Sequence, residues 1–253
     1  CNRSVKFGGF YKWAMKQKAD FVATGHYAQV AEQKTSQTSQ QERLKKYRLL
    51  VGKDGNKDQS YFLWTLSQDQ LAHTLFPVGN IEKPEVRKLA KKFDLITADK
   101  KDSQGLCFIG KIDIKDFLKR SIPAKKGKVL STEGKVIGFH DGATFLTIGE
   151  RHGFTITHKT TVDTAYYVIA KDIKKNTVTV SHKERGGTLD GATVDMTVQE
   201  CHWICTIPKV GDTFCVRTRY RQTFESVTVV SIKKSKYIFR FANPQSTITS
   251  GQS

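Results

Sequence analysis

The spacing of apolar residues divides the chain into a first part where helical and strand periods alternate and a second part where a period of two dominates. Phe10, Trp13 and Ala14 recur at helical spacing and predict an amphipathic helix over residues 8–19, with polar Gln17 interrupting that face in the last turn. The apolar run FVAT (21–24) predicts a buried strand ending at Gly25-His26, and YRLLVG (47–52) predicts another. Residues 31–46, rich in Gln, Ser, Thr and Lys, read as a polar, mobile insertion. Residues 60–76 and 83–94 read as helices, the second with Pro84 in its first turn and Glu85 near its positive end. A short helix over DIKDFLKRSI (113–122) closes this region, and Pro123 with AKKG (124–127) marks a boundary.

Beyond Pro123, GKVLSTEGKVIGFH (127–140) and YYVIAKDIKKNTVTVSH (166–182) read as hairpins turning at Glu133-Gly134 and Lys174–Asn176. ATVDMTV, FCVRTRYRQ, ESVTVVSIK and KYIFRFA are further strands. The pattern therefore predicts an α/β domain over 1–122, a β-rich central domain over 123–190 and a C-terminal β-barrel over 191–253.

Composition adds a sign. With 42 Lys+Arg against 24 Asp+Glu the formal charge is +18, and the excess is shared by both halves of the chain rather than confined to a tail. Such a field attracts polyanions, nucleic acid first among them, although a merely basic soluble protein carries the same charge. No apolar run approaches the roughly 20 residues of a membrane span. Five cysteines do not form a secreted disulfide framework. The CHWIC word invites zinc, but its spacing fits no pair of ligand knuckles, so Cys201, Cys205 and Cys215 read as structural, the first two sharing one face of a strand. No metal site is expected.

Cys1 and Cys107 differ from these. Each sits in a loop-like segment beside cations, Arg3 and Lys6 for the first and Lys100, Lys101 and Lys111 for the second. An unperturbed thiol is only about 3% thiolate at neutral pH, and neighbouring cations raise that fraction. In GKDGNKDQS, Asp54, Asn56 and Asp58 match the first three ligand positions of a calcium loop. Gln59 stands where that loop needs glycine and Thr65 where it needs glutamate, which rejects calcium. In RTRYRQ a strand period places Arg217, Arg219 and Arg221 on one face, suited to a phosphate backbone and equally to a solvated basic surface. RGGTLD (185–190) reads as a turn.

Seven words in order, CNRSVKFG (1–8), DFVATGHYA (20–28), GKDGNKDQSYFL (52–63), LFPVGNIEKPEVRKLA (75–90), ADKKDSQGLCFIGK (98–111), TIGERHG (147–153) and RTRYRQ (217–222), resemble the tRNA-specific 2-thiouridylase family, which puts sulfur on the anticodon wobble uridine. The likeness runs from Cys1 to the closing SGQS. It implies an α/β remnant of a PP-loop (adenine nucleotide alpha hydrolase-like) nucleotide-binding domain, then the central domain and the barrel. It implies Cys1 as nucleophile, Cys107 as persulfide carrier, Gly25 against ATP, and tRNA contacts at His26, Lys57, Asp58, Gln59, Arg219, Tyr220 and Gln252. For Lys57–Gln59 and for His26 the plain alternatives are a capped loop and a hydrogen-bonded structural histidine. TIGERHG departs from the family's glycine-rich continuation, so Glu150 and His152 inherit no role.

The resemblance further implies ATP with Mg²⁺, tRNA as substrate, and a persulfide sulfur donor, either a cysteine desulfurase or a sulfur-relay protein. It also implies a cytoplasmic, monomeric enzyme with no membrane contact. The family's SGGxDS phosphate loop does not occur in these residues. The sequence is therefore expected to be a fragment of a longer enzyme and inactive alone. Two rivals remain: a non-catalytic RNA-binding module, against which the paired thiols argue, and another PP-loop ATP-dependent RNA-modifying enzyme, against which KDSQGLCFIG argues.

Overall fold

The computed structural model describes residues 1–33, 46–100, 114–157, 165–182, 193–245 and 248–251. Most of the polar insertion, the Cys107 loop, RGGTLD and Gln252 lie outside the described residues.

Residues 1–103 and 200–208 make one compact unit. It opens with a π-helical stretch, Asn2–Phe10, that runs into α1 (Tyr11–Lys16). Ala14 is buried as expected, but the rest of the predicted stripe is not: Phe10 and Trp13 are 50% and 58% exposed and stack on each other at 5.8 Å. Two aromatic pairs compete for the inner side, and Phe7 with Tyr11 wins it. Phe7 packs on Ala28, Leu63, Leu66 and Leu71, a burial worth roughly 1.5–3 kcal/mol, and the Tyr11 hydroxyl reaches the Asp69 carboxylate at 2.9 Å.

Next come β1 (Val22–Ala23), β2 (Ala28–Gln33) and β3 (Lys46–Val51), the last two an antiparallel hairpin. The predicted helix over 60–76 is three elements instead. A 3₁₀ turn covers Ser60–Leu63, α2 covers Gln68–Ala72, and β4 (Thr74–Leu75) pairs in parallel with β1. A capping box causes the break: the Ser67 hydroxyl accepts from the Gln70 amide while the Gln70 side chain accepts from the Ser67 amide, starting a new helix there. Gly79 lies so close to the Ala28 carbonyl that a Cβ would collide with it.

Helix α3 (Lys83–Lys92) begins with Pro84 and Glu85 in its first turn, as read from the sequence. Its leading amide, Lys83 N–H, is capped at 3.0 Å by Asp54, the residue that had mimicked a calcium ligand. The 200–208 segment is not a strand. Ile204 packs against the Phe7 cluster and its carbonyl accepts from Gln68 at 2.8 Å, while His202 meets the Leu66 carbonyl at 3.0 Å. Those anchors set its course, so Cys205 is exposed and Cys201 only half-buried; neither is the strand-core residue the spacing had suggested.

Residues 104–199 and 209–253 make the second unit. After α4 (Ile114–Lys119) it holds β5 (Gly127–Leu130), β6 (Val136–His140), β7 (Phe154–Ile156), β8 (Tyr166–Asp172) and β9 (Thr177–His182) in the order β7-β6-β5-β9-β8. Both predicted hairpins form, with Gly134 and Asn176 supplying the left-handed turn residues. Asn176 also fixes its surroundings, since its amide donates to the Lys125 carbonyl and accepts from Ala143 N–H, both at 2.9 Å. Val129, Val168, Val178 and Val180 form the core of this sheet with Ala143 and Leu146.

A four-stranded antiparallel sheet follows, β10 (Thr193–Val198), β11 (Thr213–Val216), β12 (Glu225–Lys233) and β13 (Lys236–Gln245), in the order β10-β13-β12-β11. Val227 and Val229 from β12 and Tyr237, Phe239 and Phe241 from β13 are buried at the alternate positions a half-buried sheet requires. Strand β11 stops at Val216, so RTRYRQ is a turn and its arginines do not share a strand face. The Gln222 side-chain oxygen closes it by accepting from Thr218 N–H at 3.0 Å and Arg219 N–H at 3.1 Å, and Arg221 adopts φ +65°.

Candidate functional site

Cys1 is exposed and opens the first helix, its carbonyl accepting from Val5 N–H and, in the wide π turn, from Lys6 N–H at 3.2 Å. The same helix is pinned by Asn2, which donates to the Phe62 carbonyl, and by Gln70, which donates to the Phe7 carbonyl.

At the carboxyl end of β1, Thr24, Gly25 and His26 meet this helix. His26 is 5% exposed, packed between the Phe7 and Phe76 rings, with Lys6 Nζ 3.2 Å from Nε2 and Thr24 Oγ1 2.8 Å from Nδ1. An ammonium can only donate, so Nε2 accepts, Nδ1 carries the proton, and the ring is neutral. Burial, and secondly the Lys6 charge, push its pKa down to about 4. Among the described residues, a Cβ built on Gly25 meets no atom within 4 Å.

The neutral His26 makes an acid-sensitivity prediction. Its folded pKa lies below the unfolded value near 6.5, so the unfolded chain takes up the proton first and stability falls as pH drops from about 6.5 towards 4. The loss reaches up to about 3 kcal/mol. Urea titrations at pH 7 and pH 4.5 are expected to show a smaller pH-dependent loss for His26→Gln than for the parent protein.

All three members of the Lys57-Asp58-Gln59 run bond within the fold, Lys57 through its amide to the Asp54 carbonyl at 3.0 Å. Asp58 is 2% exposed, and one carboxylate oxygen accepts from Gly52 N–H and Ser60 N–H while the other accepts from Ser60 Oγ. Gln59 exchanges two bonds with Tyr27, side-chain oxygen from Tyr27 N–H and backbone N–H to the Tyr27 carbonyl. Lys57 is half-buried.

In the second unit the Arg219 guanidinium donates to the Ile148 carbonyl and to Thr249 Oγ1, and Arg221 lies 5.2 Å from the Tyr220 ring. Arg219 therefore ties the TIGERHG loop to the C-terminal residues instead of standing on an open strand. Arg219→Ala is expected to lower the stability of this unit by about 1–3 kcal/mol, read as an earlier thermal transition in circular dichroism. Cys107 and Gln252 lie outside the described residues. Sequence reasoning missed the Lys6–His26–Thr24 chain and the Gln68 anchor, since neither leaves a short-range pattern.

Three family descriptions match consecutive stretches: a tRNA methyl transferase HUP domain over 1–111, a tRNA methyl transferase PRC-barrel domain over 115–182 and an aminomethyltransferase beta-barrel domain over 193–253. They describe an α/β nucleotide-binding start followed by two β-rich parts, in agreement with the fold class read from the sequence. Among curated relatives, the tRNA-specific 2-thiouridylase MnmA of Klebsiella pneumoniae subsp. pneumoniae is 43% identical, and those of Serratia proteamaculans and Yersinia pestis are 41% identical. Each alignment covers 100% of this chain and 66% of the relative, so the chain spans just under two thirds of their length. The chain belongs to the tRNA-specific 2-thiouridylase family.

Proposed function

We propose that the protein takes part in ATP-dependent 2-thiolation of the wobble uridine of tRNA, with Cys1 as nucleophile and Cys107 as persulfide carrier. The observation that carries this reading is that the helix following Cys1 joins the β1 end through Lys6 and His26. Ligands of α/β sheets gather at such strand ends. The family relationship supplies the chemistry.

Oxygen on a uracil carbonyl is a poor leaving group. ATP as substrate adenylates it, releasing pyrophosphate, and Mg²⁺ accompanies the phosphates. A donor, either a cysteine desulfurase or a relay protein, loads Cys107 as a persulfide. In one route the terminal sulfur displaces AMP and leaves the base joined to Cys107 through an S–S bond, which Cys1 cleaves to free the thiolated base; in the other, Cys1 attacks the persulfide first and the released sulfide displaces AMP. Either route leaves a Cys1–Cys107 disulfide, which a thiol reductant returns to two thiols.

Gly25 leaves room for the nucleotide. His26, Lys57, Asp58, Gln59, Arg219, Tyr220 and Gln252 form the tRNA-contact set, drawn from the first part (1–122) and the last (191–253). For His26, Asp58, Gln59 and Arg219 that contribution is to shape the surface, since their side chains are committed to the fold. Among the described residues no helix is long and apolar enough to cross a membrane, and we assign the protein to the cytoplasm as a monomer. Full-length protein, unmodified tRNA, ATP and a persulfide donor are expected to yield 2-thiouridine and AMP in step. AMP release without tRNA dependence, or no thionucleoside, would remove the reading.

A further inference from the structure

Three cations converge on the TIGERHG loop (147–153), and two of them are spent on backbone carbonyls. Lys171 Nζ donates to the Leu146 carbonyl at 2.9 Å, and the Arg219 guanidinium donates to the Ile148 carbonyl. A carbonyl accepts from such groups without neutralising them, so both charges stay in the local field. The loop is also laced to β8: Gly149 N–H donates to the Val168 carbonyl at 2.7 Å, and Val168 N–H donates to the Glu150 carbonyl at 2.9 Å. Gly149 and Gly153 take φ values of +84° and +86°, so the chain turns on both sides of Glu150-Arg151-His152. The carboxylate of this loop is folded back on its own backbone, Glu150 accepting from Thr147 N–H at 2.9 Å.

Arg151, the third cation, is placed the opposite way. It is exposed, and its bonding among the described residues is from Nε to His152 Nε2 at 3.1 Å, with no carboxylate paired to it. An imidazole nitrogen that accepts holds no proton, so it steadies the guanidinium without cancelling its charge. Nη1 and Nη2 keep their donors, the edge that takes an oxyanion two oxygens at a time.

We propose that Arg151 grips a backbone phosphate of tRNA, presented by a loop that Arg219 and Lys171 hold in place. The inference rests on tRNA as the substrate, and it moves the phosphate contact of this unit from Arg219 to Arg151. Arg219 spends its guanidinium on Ile148 and Thr249, whereas Arg151 spends only its Nε. Ile148 and Arg151 are three residues apart, at most roughly 11 Å along the chain, so the tie and the free fork belong to one surface. The turn carrying Arg219 adds charge of the same sign, with Arg221 5.2 Å from the Tyr220 ring and Arg217 5.0 Å from the Phe224 ring.

The test is the salt dependence of affinity for an unmodified tRNA transcript, measured on the full-length protein between about 50 and 200 mM salt. Arg151→Gln is expected to weaken binding about three- to tenfold at the low end and to reduce the magnitude of the log–log slope by about 0.7–0.9. Arg151→Lys is expected to keep the parent slope, because the charge remains, and to lose about two- to threefold in affinity with the fork. Both variants are expected to melt with the parent, since the side chain is exposed. Lys174→Gln removes an exposed charge in the β8–β9 turn and is expected to leave affinity and slope unchanged, which separates a contact from net charge. Parent-like affinity and slope in Arg151→Gln, in a protein that still binds and thiolates tRNA, would overturn this inference alone. An equal effect from Lys174→Gln would overturn it too. A parent protein that bound no tRNA would remove the proposed function along with it.

Discussion

Cys1→Ser and Cys107→Ser in the full-length protein are each expected to reduce 2-thiouridine formation by about a thousandfold or more, while tRNA affinity stays within about twofold of the parent. Serine keeps the size of cysteine but can neither carry a persulfide nor attack one. Labelled sulfur that still reached tRNA in either variant would make that cysteine structural. Loss of both activity and affinity would instead point to a binding defect.

The second large effect concerns stability. Asp58→Ala removes a buried carboxylate that accepts from Gly52 N–H, Ser60 N–H and Ser60 Oγ, and strands those donors in the interior. A loss of about 2–4 kcal/mol is expected, read from the urea midpoint of the protein. Asp58→Asn retains one acceptor oxygen and is expected to lose less. If Asp58→Ala weakened tRNA binding with an unchanged urea midpoint, the residue would be an RNA contact first and a structural group second. Gln59 predicts the same order, since its side chain is committed to Tyr27 N–H.

The two β hairpins, the β1 strand with its Gly25-His26 end, and α3 with Pro84 in its first turn were legible because each rests on short-range chemistry: alternation, a left-handed turn residue, a fixed φ. What failed depended on distant partners. The choice of Phe7 over Phe10 follows from packing on Leu63, Leu66 and Leu71. The break in residues 60–76 follows from a capping box that a helical apolar count overlooks. RTRYRQ alternates like a strand but is closed into a turn by the Gln222 amide, and its Arg219 is spent on Ile148 and Thr249. In the site, Cys1 and the strand end were visible as words in the sequence. Their link through Lys6, 20 residues from His26, was not: the sequence marked Lys6 as a cation beside Cys1 but carries no short-range signal of its imidazole partner.

A pulse and chase of labelled sulfur tests the central claim most directly. Full-length protein is first loaded from a labelled persulfide donor without tRNA, then given unmodified tRNA and ATP. The account predicts that label is found first on the Cys107 peptide, is released by reductant, and passes to the wobble uridine only when ATP is present and Cys1 is intact. Label that never resides on Cys107, or that reaches tRNA without ATP, would contradict it.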